Sequence, residues 1–421
     1  MFGASRTFER RVDSARLRIA DLLSLRPLVG LPRKSDISKR QWAALERQLR
    51  AAEARLNARL RRAADQHLGK TRDPQAARAL NAALGDIELE LSRAYTFFDT
   101  YMDVLTQRYS TRLGPLLAGC DVLAWHGMRR DHPALRIVEP PLVFCDRGFG
   151  ASIIRESVRL PDGTPNPIPL IQIPYSRLKE KCNLTSVLHE VGHQALMRLG
   201  LVSALPKALR AALARAGASP LTRDMFALWS SEIGPDFWTF CTSGMAAAAG
   251  LREILALPPS HVFRVSWTDP HPPPYLRVLL SFEWCRQQWG RGDWDAWRRE
   301  WTALYPLEGA TGEARTILAE GVTHLPTVAR TLFATRFRTL DGRRLPDLFR
   351  LSDLSPPALA AVAAGLDAGT LRLTGVSPPT QLAVFRFIRE RSRISEERLD
   401  GIMSGWLTRL GAKPAPGAER S

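Results

Sequence analysis

Val187-Leu188-His189-Glu190-Val191-Gly192-His193-Gln194-Ala195 sets two histidines four residues apart, with a glutamate directly after the first. On a helix, residues at that interval stack on one face, so both imidazoles reach a single cation at a Zn–N distance of about 2.0–2.1 Å. The spacing is the HExxH pattern of zinc sites, and Glu190 stands where it can take a proton from water on the metal. The flanks read as helix. Asn183 is the expected cap, Leu184, Val187, Leu188, Val191, Ala195 and Leu196 recur at helical spacing, and Gly200 is the expected stop. Two packing histidines on an amphipathic helix would mimic the pattern, so further ligands have to be sought downstream.

At 421 residues the chain is long for one core and suggests two or three domains; 45% hydrophobic and 24% charged residues make it globular. Lys and Arg outnumber Asp and Glu by 59 to 42, a formal charge of +17 that would suit nucleic acid, an acidic partner or an anionic membrane surface. The basic residues are spread along the chain without a block of like charge, which favours solvated helices over a nucleic-acid partner. Five cysteines, Cys120, Cys145, Cys182, Cys241 and Cys285, form no CxxC pair and argue for a reducing compartment. No apolar signal core follows Met1, and the most apolar stretch, Met245 to Leu257, is broken by Arg252 and Glu253. A cytoplasmic protein without a membrane span is expected.

From Ser38 to Leu68, Trp42, Leu45, Leu49, Ala52, Leu56 and Leu60 trace one helical face, with arginines on the others. Asp73-Pro74 announces a second helix through Leu80, Leu84, Ile87, Leu91 and Phe98, whose acidic residues can meet the arginines of the first. The expectation is a helical hairpin. Between Gly114 and Lys181 strands are expected at Arg136–Val138, Leu142–Phe144, Ile153–Leu160 and Leu170–Ile173, with a turn at Pro161-Asp162-Gly163. Pro169 and Pro174 bracket Leu170, Ile171, Gln172 and Ile173 and suggest an edge strand, able either to bind an extended peptide or to be shielded from aggregation.

Farther on, Glu232 and Asp236 make an ExxxD element interrupted by Gly234-Pro235, and Asp269-Pro270-His271-Pro272-Pro273-Pro274-Tyr275-Leu276-Arg277 holds a histidine in a rigid turn ahead of an arginine. With HExxH, ExxxD and H-P-P-x-x-x-R in this order, the stretch from Leu170 to Val278 resembles the gluzincin zinc metallopeptidases that include CAAX-prenyl endopeptidases and bacterial membrane stress proteases. The resemblance implies zinc on His189, His193 and Glu232, Glu190 as general base, Asp236 orienting His189 through its other ring nitrogen, and His271 and Arg277 on the substrate side. Tyr275 joins His271 and Arg277 as a candidate for stabilising an oxyanion. The chain departs from that family in lacking transmembrane helices and in its Gly-Pro pair, so membrane-embedded or prenylated substrates do not carry over. Leu199, six residues past His193, excludes a metzincin third histidine. Should Glu232 not be the ligand, His126, His132 and Asp224 are next.

The expected fold is α+β and mainly helical: a hairpin over 1–115, a zincin-like domain with a small edge-stranded sheet over 116–305, a helical module over 306–410 and a frayed tail over 411–421. Helices are expected after Ser355-Pro356-Pro357, Ser377-Pro378-Pro379 and Ser395-Glu396-Glu397, and Trp284, Trp289, Trp294, Trp297 and Trp301 read as core rather than as a base-stacking surface. The function expected is zinc-dependent hydrolysis of a peptide or protein substrate. Two rivals are a nucleic-acid-associated regulator with a zinc site and a scaffold with a degenerate one.

Overall fold

A computed structural model describes residues 3–22, 29–30, 37–136, 138–148, 150–155, 158–159, 165–365 and 373–412. Three long helices open the chain: α1 (Gly3–Asp21), α2 (Lys39–His67) and α3 (Pro74–Thr106). Ser38 and Gln41 form a reciprocal capping box at the head of α2, and Asp73 accepts from the backbone of Gln75 and Ala76 with Pro74 in the first turn of α3. Leu56 and Leu60 bury against Leu80, Leu84 and Ile87, and α1 adds Val12 and Ile19. Outside this seam Arg55 and Arg59 both pair with Glu90, and Arg18 grips Glu88. The expected hairpin is present, with α1 as a third member.

Helix α4 (Leu113–Met128) leads to β1 (Leu142–Cys145), β2 (Ser152–Ile154) and β3 (Leu170–Ile173), which form one sheet in the order β1-β3-β2. This corrects the edge-strand expectation. Leu170, Ile171, Gln172 and Ile173 are central, parallel to β1 on one side and antiparallel to β2 on the other. The prolines do not prevent it because they lie just outside the paired register; Pro169 offers its carbonyl to the Leu142 N–H, and a proline forfeits only its donor. The free edge nearer the histidines is β2. Pro133–Arg136 is a short helix where a strand was expected from Arg136, and β2 covers only the start of Ile153–Leu160. Ile137, Leu160 and the Pro161-Asp162-Gly163 turn lie outside the described residues. A buried Arg108–Asp121 pair fixes the sheet to α4, since Asp121 also accepts from the Val143 N–H at 2.7 Å.

The remaining long helices are α5 (Thr185–Arg198), α6 (Leu201–Arg215), α7 (Pro220–Ser243), α8 (Met245–Ile254), α9 (Pro274–Trp289), α10 (Asp293–Leu304), α11 (Gly312–Ala334), α12 (Pro378–Arg391) and α13 (Glu396–Gly411). A single buried cluster runs from Leu117 on α4 to Leu410 on α13. Trp284, Trp294, Trp297 and Trp301 are buried in it and Trp289 packs against it, which favours the core reading of the tryptophans. The three late helices occur, the first as Pro356–Ala363. Residues 413–421 of the expected tail lie outside the described residues. Arg386 of α12, fully buried, donates to Asn183 Oδ1 (3.3 Å), Glu253 Oε2 (2.5 Å) and the Ala249 carbonyl (2.8 Å), tying α12 to the head of α5 and the end of α8. Asn183 therefore does not cap α5. A 3-10 turn over Lys181–Asn183 precedes the helix, whose first turn carries no side-chain cap. Gly200, at φ +68°, ends it as expected. The described part is α+β and mainly helical, and no described helix is long and apolar enough to cross a membrane.

Candidate metal centre

Helices α5 and α7 cross at Gly192 and Gly234-Pro235. A Cβ on Gly192 would lie 2.9 Å from Pro235 Cα, so that position must be bare for the backbones to come this close, and one on Gly234 would lie 2.7 Å from the Leu196 side chain, which would have to move aside. The pair that looked like a break in the ExxxD element is thus its joint. Helix α7 runs through Pro235 without ending. The proline has no N–H to give the Ser231 carbonyl, a lost bond offset by the packing it makes with α5.

This crossing brings Glu232 and Asp236 onto the histidines. His189 Nε2 is 3.2 Å from His193 Nε2 and 3.1 Å from Glu232 Oε2, and His193 Nε2 is 3.6 Å from Glu232 Oε1. Ligands arranged tetrahedrally about one zinc-sized cation at about 2.05 Å stand roughly 3.3 Å apart, a spacing that the two nitrogens approach with each other and each with a different oxygen of Glu232. One donor atom from each of the three residues lies within 4.8 Å of the others, and the group could hold a metal ion. Asp236 accepts from His189 Nδ1 at 2.8 Å, which leaves the Nε2 lone pair facing the centre. Asp236 is itself gripped by Arg277 through Nε (2.5 Å) and Nη2 (2.8 Å).

The electrostatics follow from burial. Burial alone would pull the His189 imidazolium down, but Asp236, Glu232 and Glu190 outweigh it and hold it at about 10; a proton and a cation compete for the same Nε2 lone pair. His193 is pushed down to about 4 by burial and by the charge on His189, leaving a neutral ring that can ligate. Burial opposes ionisation of Asp236, yet Arg277 and His189 hold it far below the usual carboxylate range. Glu190 is raised, first by burial and then by Glu232 and Asp236, with His189 and Arg277 opposing.

A cavity of about 650 Å³ opens over these groups. His189, Glu190, His193, Glu232, Asp236, His271 and Arg277 all line it. Asp269 accepts from the His271 backbone (3.0 Å) and contacts its Nδ1 (2.6 Å), which leaves the His271 Nε2 3.7 Å from Glu232 Oε2. Tyr275 is elsewhere, packed on Phe263 with ring centroids 5.4 Å apart, because two residues of helix turn it away from Arg277. Of the alternative ligands, His132 is held by the Thr339 carbonyl and Ala134 N–H, Asp224 by Arg210, and neither they nor His126 line the cavity. Nor does β3 reach it; Ser152, Ile153 and Arg155 of the β2 edge do.

Three features escaped the sequence reading. Asp269 orients His271. Arg177, ahead of α5, faces the cavity, and so do Ala247, Leu251 and Ile254 of α8. The last three are spaced as one helical face, a signal present in a stretch weighed only as a membrane span. No family model matches the chain, and neither a curated protein nor a solved structure matches it.

Proposed function

We propose that the chain is a zinc-dependent metallopeptidase whose metal is held by His189, His193 and Glu232. The observation that carries this reading is the convergence of two imidazole nitrogens and a carboxylate at coordination-sphere separations, in a cavity that also exposes Glu190. Two imidazole nitrogens and one carboxylate suit zinc, and three protein donors are the usual complement of a catalytic site. Bound there, zinc supplies Lewis acidity, which lowers the pKa of water and polarises a carbonyl.

The chain's own residues do the rest. Glu190, one residue from His189 and raised above the ordinary glutamate range, accepts a proton from the attacking water and returns it to the leaving amine. Asp236 fixes the His189 tautomer and Arg277 fixes Asp236, so the guanidinium that lines the cavity also serves the ligand set. His271, aimed by Asp269, is the donor best placed for the oxyanion, with Nε2 on the ligand side of its ring. An extended peptide along the free β2 edge would pass over the metal ligands.

Glu190→Gln tests the reading. Near-stoichiometric zinc should remain while hydrolysis of a peptide library falls by about 10²–10⁴-fold. Undiminished hydrolysis would remove Glu190 from the base role, and zinc-loaded wild type that cleaves no library peptide would sink the peptidase assignment.

A further inference from the structure

The cavity extends past the metal ligands along α5 toward its N-terminus. Thr185 and Ser186, in the first turn, line it together with His189, Glu190 and His193, and Thr185 shares a face with His189 about 6 Å of helix rise away. That turn has no side-chain cap, so no side-chain acceptor opposes the positive end of the helix dipole there, although the Leu184 carbonyl takes the Val187 N–H at 3.0 Å. A helix end alone would mean little, but Arg177 lies beside it.

Arg177 is more than nine-tenths buried, and its Nε has no hydrogen-bond partner. Among the described residues its side chain makes one hydrogen bond, a long one of 3.3 Å from Nη1 to Glu180 Oε2. Glu180 is half exposed and shares that oxygen with Asn183 Nδ2 at 3.4 Å. Glu253, the other nearby carboxylate, is held by Arg386 and Arg389. A buried guanidinium costs free energy unless its charge and donors are matched, and this one faces a substrate-sized cavity. Arg155 adds a second cation to the same lining and has no ion-pair partner among the described residues. Ala247, Leu251 and Ile254 of α8 supply an apolar wall.

We propose that the inner end of the cavity is a carboxylate-binding subsite, built from Arg177 and the first turn of α5, that selects peptides with a carboxylate near the bond presented to the metal. The rise of about 6 Å between Thr185 and His189 equals roughly two residues of extended chain at about 3.3 Å each, which sets how near the carboxylate must be. Arg177 meets it through Nη2, which no described residue engages, in a charge-assisted hydrogen bond. The apolar wall receives the side chain next to it. The peptide nature of the ligand rests on the proposed function; the anion subsite does not.

The test uses binding, so that it is independent of turnover. Acyl-dipeptides with a free C-terminal carboxylate, the matching carboxamides, and amidated peptides with an internal Glu or Gln are titrated calorimetrically into the zinc-loaded full chain. Acids should bind wild type at least about tenfold tighter than amides, and Arg177→Gln should bring that ratio close to one with zinc content unchanged. Arg177→Lys, which keeps the charge but loses the fork, should fall between. Preference for the free C-terminus over internal Glu marks a carboxypeptidase-like subsite, and the reverse marks an acidic side chain; either supports the proposal. Equal affinity of acids and amides for wild type, or an undiminished ratio in Arg177→Gln, overturns it. Acid-selective binding without any hydrolysis would discard the peptidase reading and leave the subsite standing, whereas hydrolysis without acid selectivity would do the opposite.

Discussion

The N-terminal helices and the candidate metal centre use the same chemical pair, arginine with carboxylate, to opposite ends. Between α2 and α3, Arg55 and Arg59 meet Glu90 at the rim of an apolar seam, with the arginine side chains nearly half exposed. At the centre, Arg277 and Asp236 are almost wholly buried and their bond is one link in a chain that continues to His189 and Glu232. Water and salt screen the first pair, which lets it fail with little consequence. The second is largely shielded from water on its helix side, so losing any link leaves a poorly compensated charge. Position, not residue type, separates a fastener from an orienting device.

That contrast can be broken from either side. Glu232→Ala should have the largest effect, abolishing stoichiometric zinc; full occupancy by metal analysis would place the third ligand elsewhere. Asp236→Asn keeps the shape but loses the acceptor charge for His189 Nδ1 and the pair with Arg277, and should weaken metal affinity by about 10–100-fold in a competition titration with a chelator. Unaltered affinity would reduce Asp236 to a packing residue. Gly192→Ala drives a methyl against Pro235 and should cost about 1–3 kcal/mol in denaturant unfolding, with metal affinity lowered as the helices part; a neutral variant would show that the crossing is not tight. At the small end, Glu90→Gln should cost less than about 1 kcal/mol, and less still in high salt.

A pH titration sharpens the small end. Glu88 is held below the ordinary glutamate range by its hydrogen bond to Arg18; in Glu90 burial acts the other way and is outweighed by the bonds to Arg55 and Arg59. A depressed folded pKa gives stability that is complete above the unfolded value near about 4.3 and lost as pH falls through the folded one. Hydrogen exchange in α2 and α3 should therefore be flat from neutral pH to about 5 and accelerate below about 4, once corrected for intrinsic rates. Protection that stayed constant to pH 3 would show that these pairs add nothing.

The parts legible in the sequence were those written in a few consecutive residues. Ser38 with Gln41, Asp73 with Pro74, and the helical repeat around His189 carry their signals within one or two turns, and the order of HExxH and ExxxD pointed to the three residues that could hold a metal ion. What escaped depends on partners far along the chain. The place of β3 is decided by β1 and β2, and its flanking prolines reveal only which N–H groups are missing. Asn183 had the composition of a cap, but the preceding 3-10 turn and Arg386, two hundred positions later, had already engaged it. Gly234-Pro235 read as damage because a proline within a helix is costly alone, and its benefit appears only when Gly192 is set against it.

The grip of Arg386 on Asn183, Glu253 and the Ala249 carbonyl also orders events in time. The helix bearing the two histidines leaves the ribosome well before the arginine that steadies its head. At about 5–20 residues per second, the intervening stretch of roughly 190 residues takes on the order of ten to forty seconds to make. Through that interval the nascent histidine helix lacks its brace, and the helix carrying Ala247 and Leu251 of the cavity lining lacks the contact at its Ala249 carbonyl. Until α12 has been made, Asn183, Glu253 and the Ala249 carbonyl are without the guanidinium that joins them.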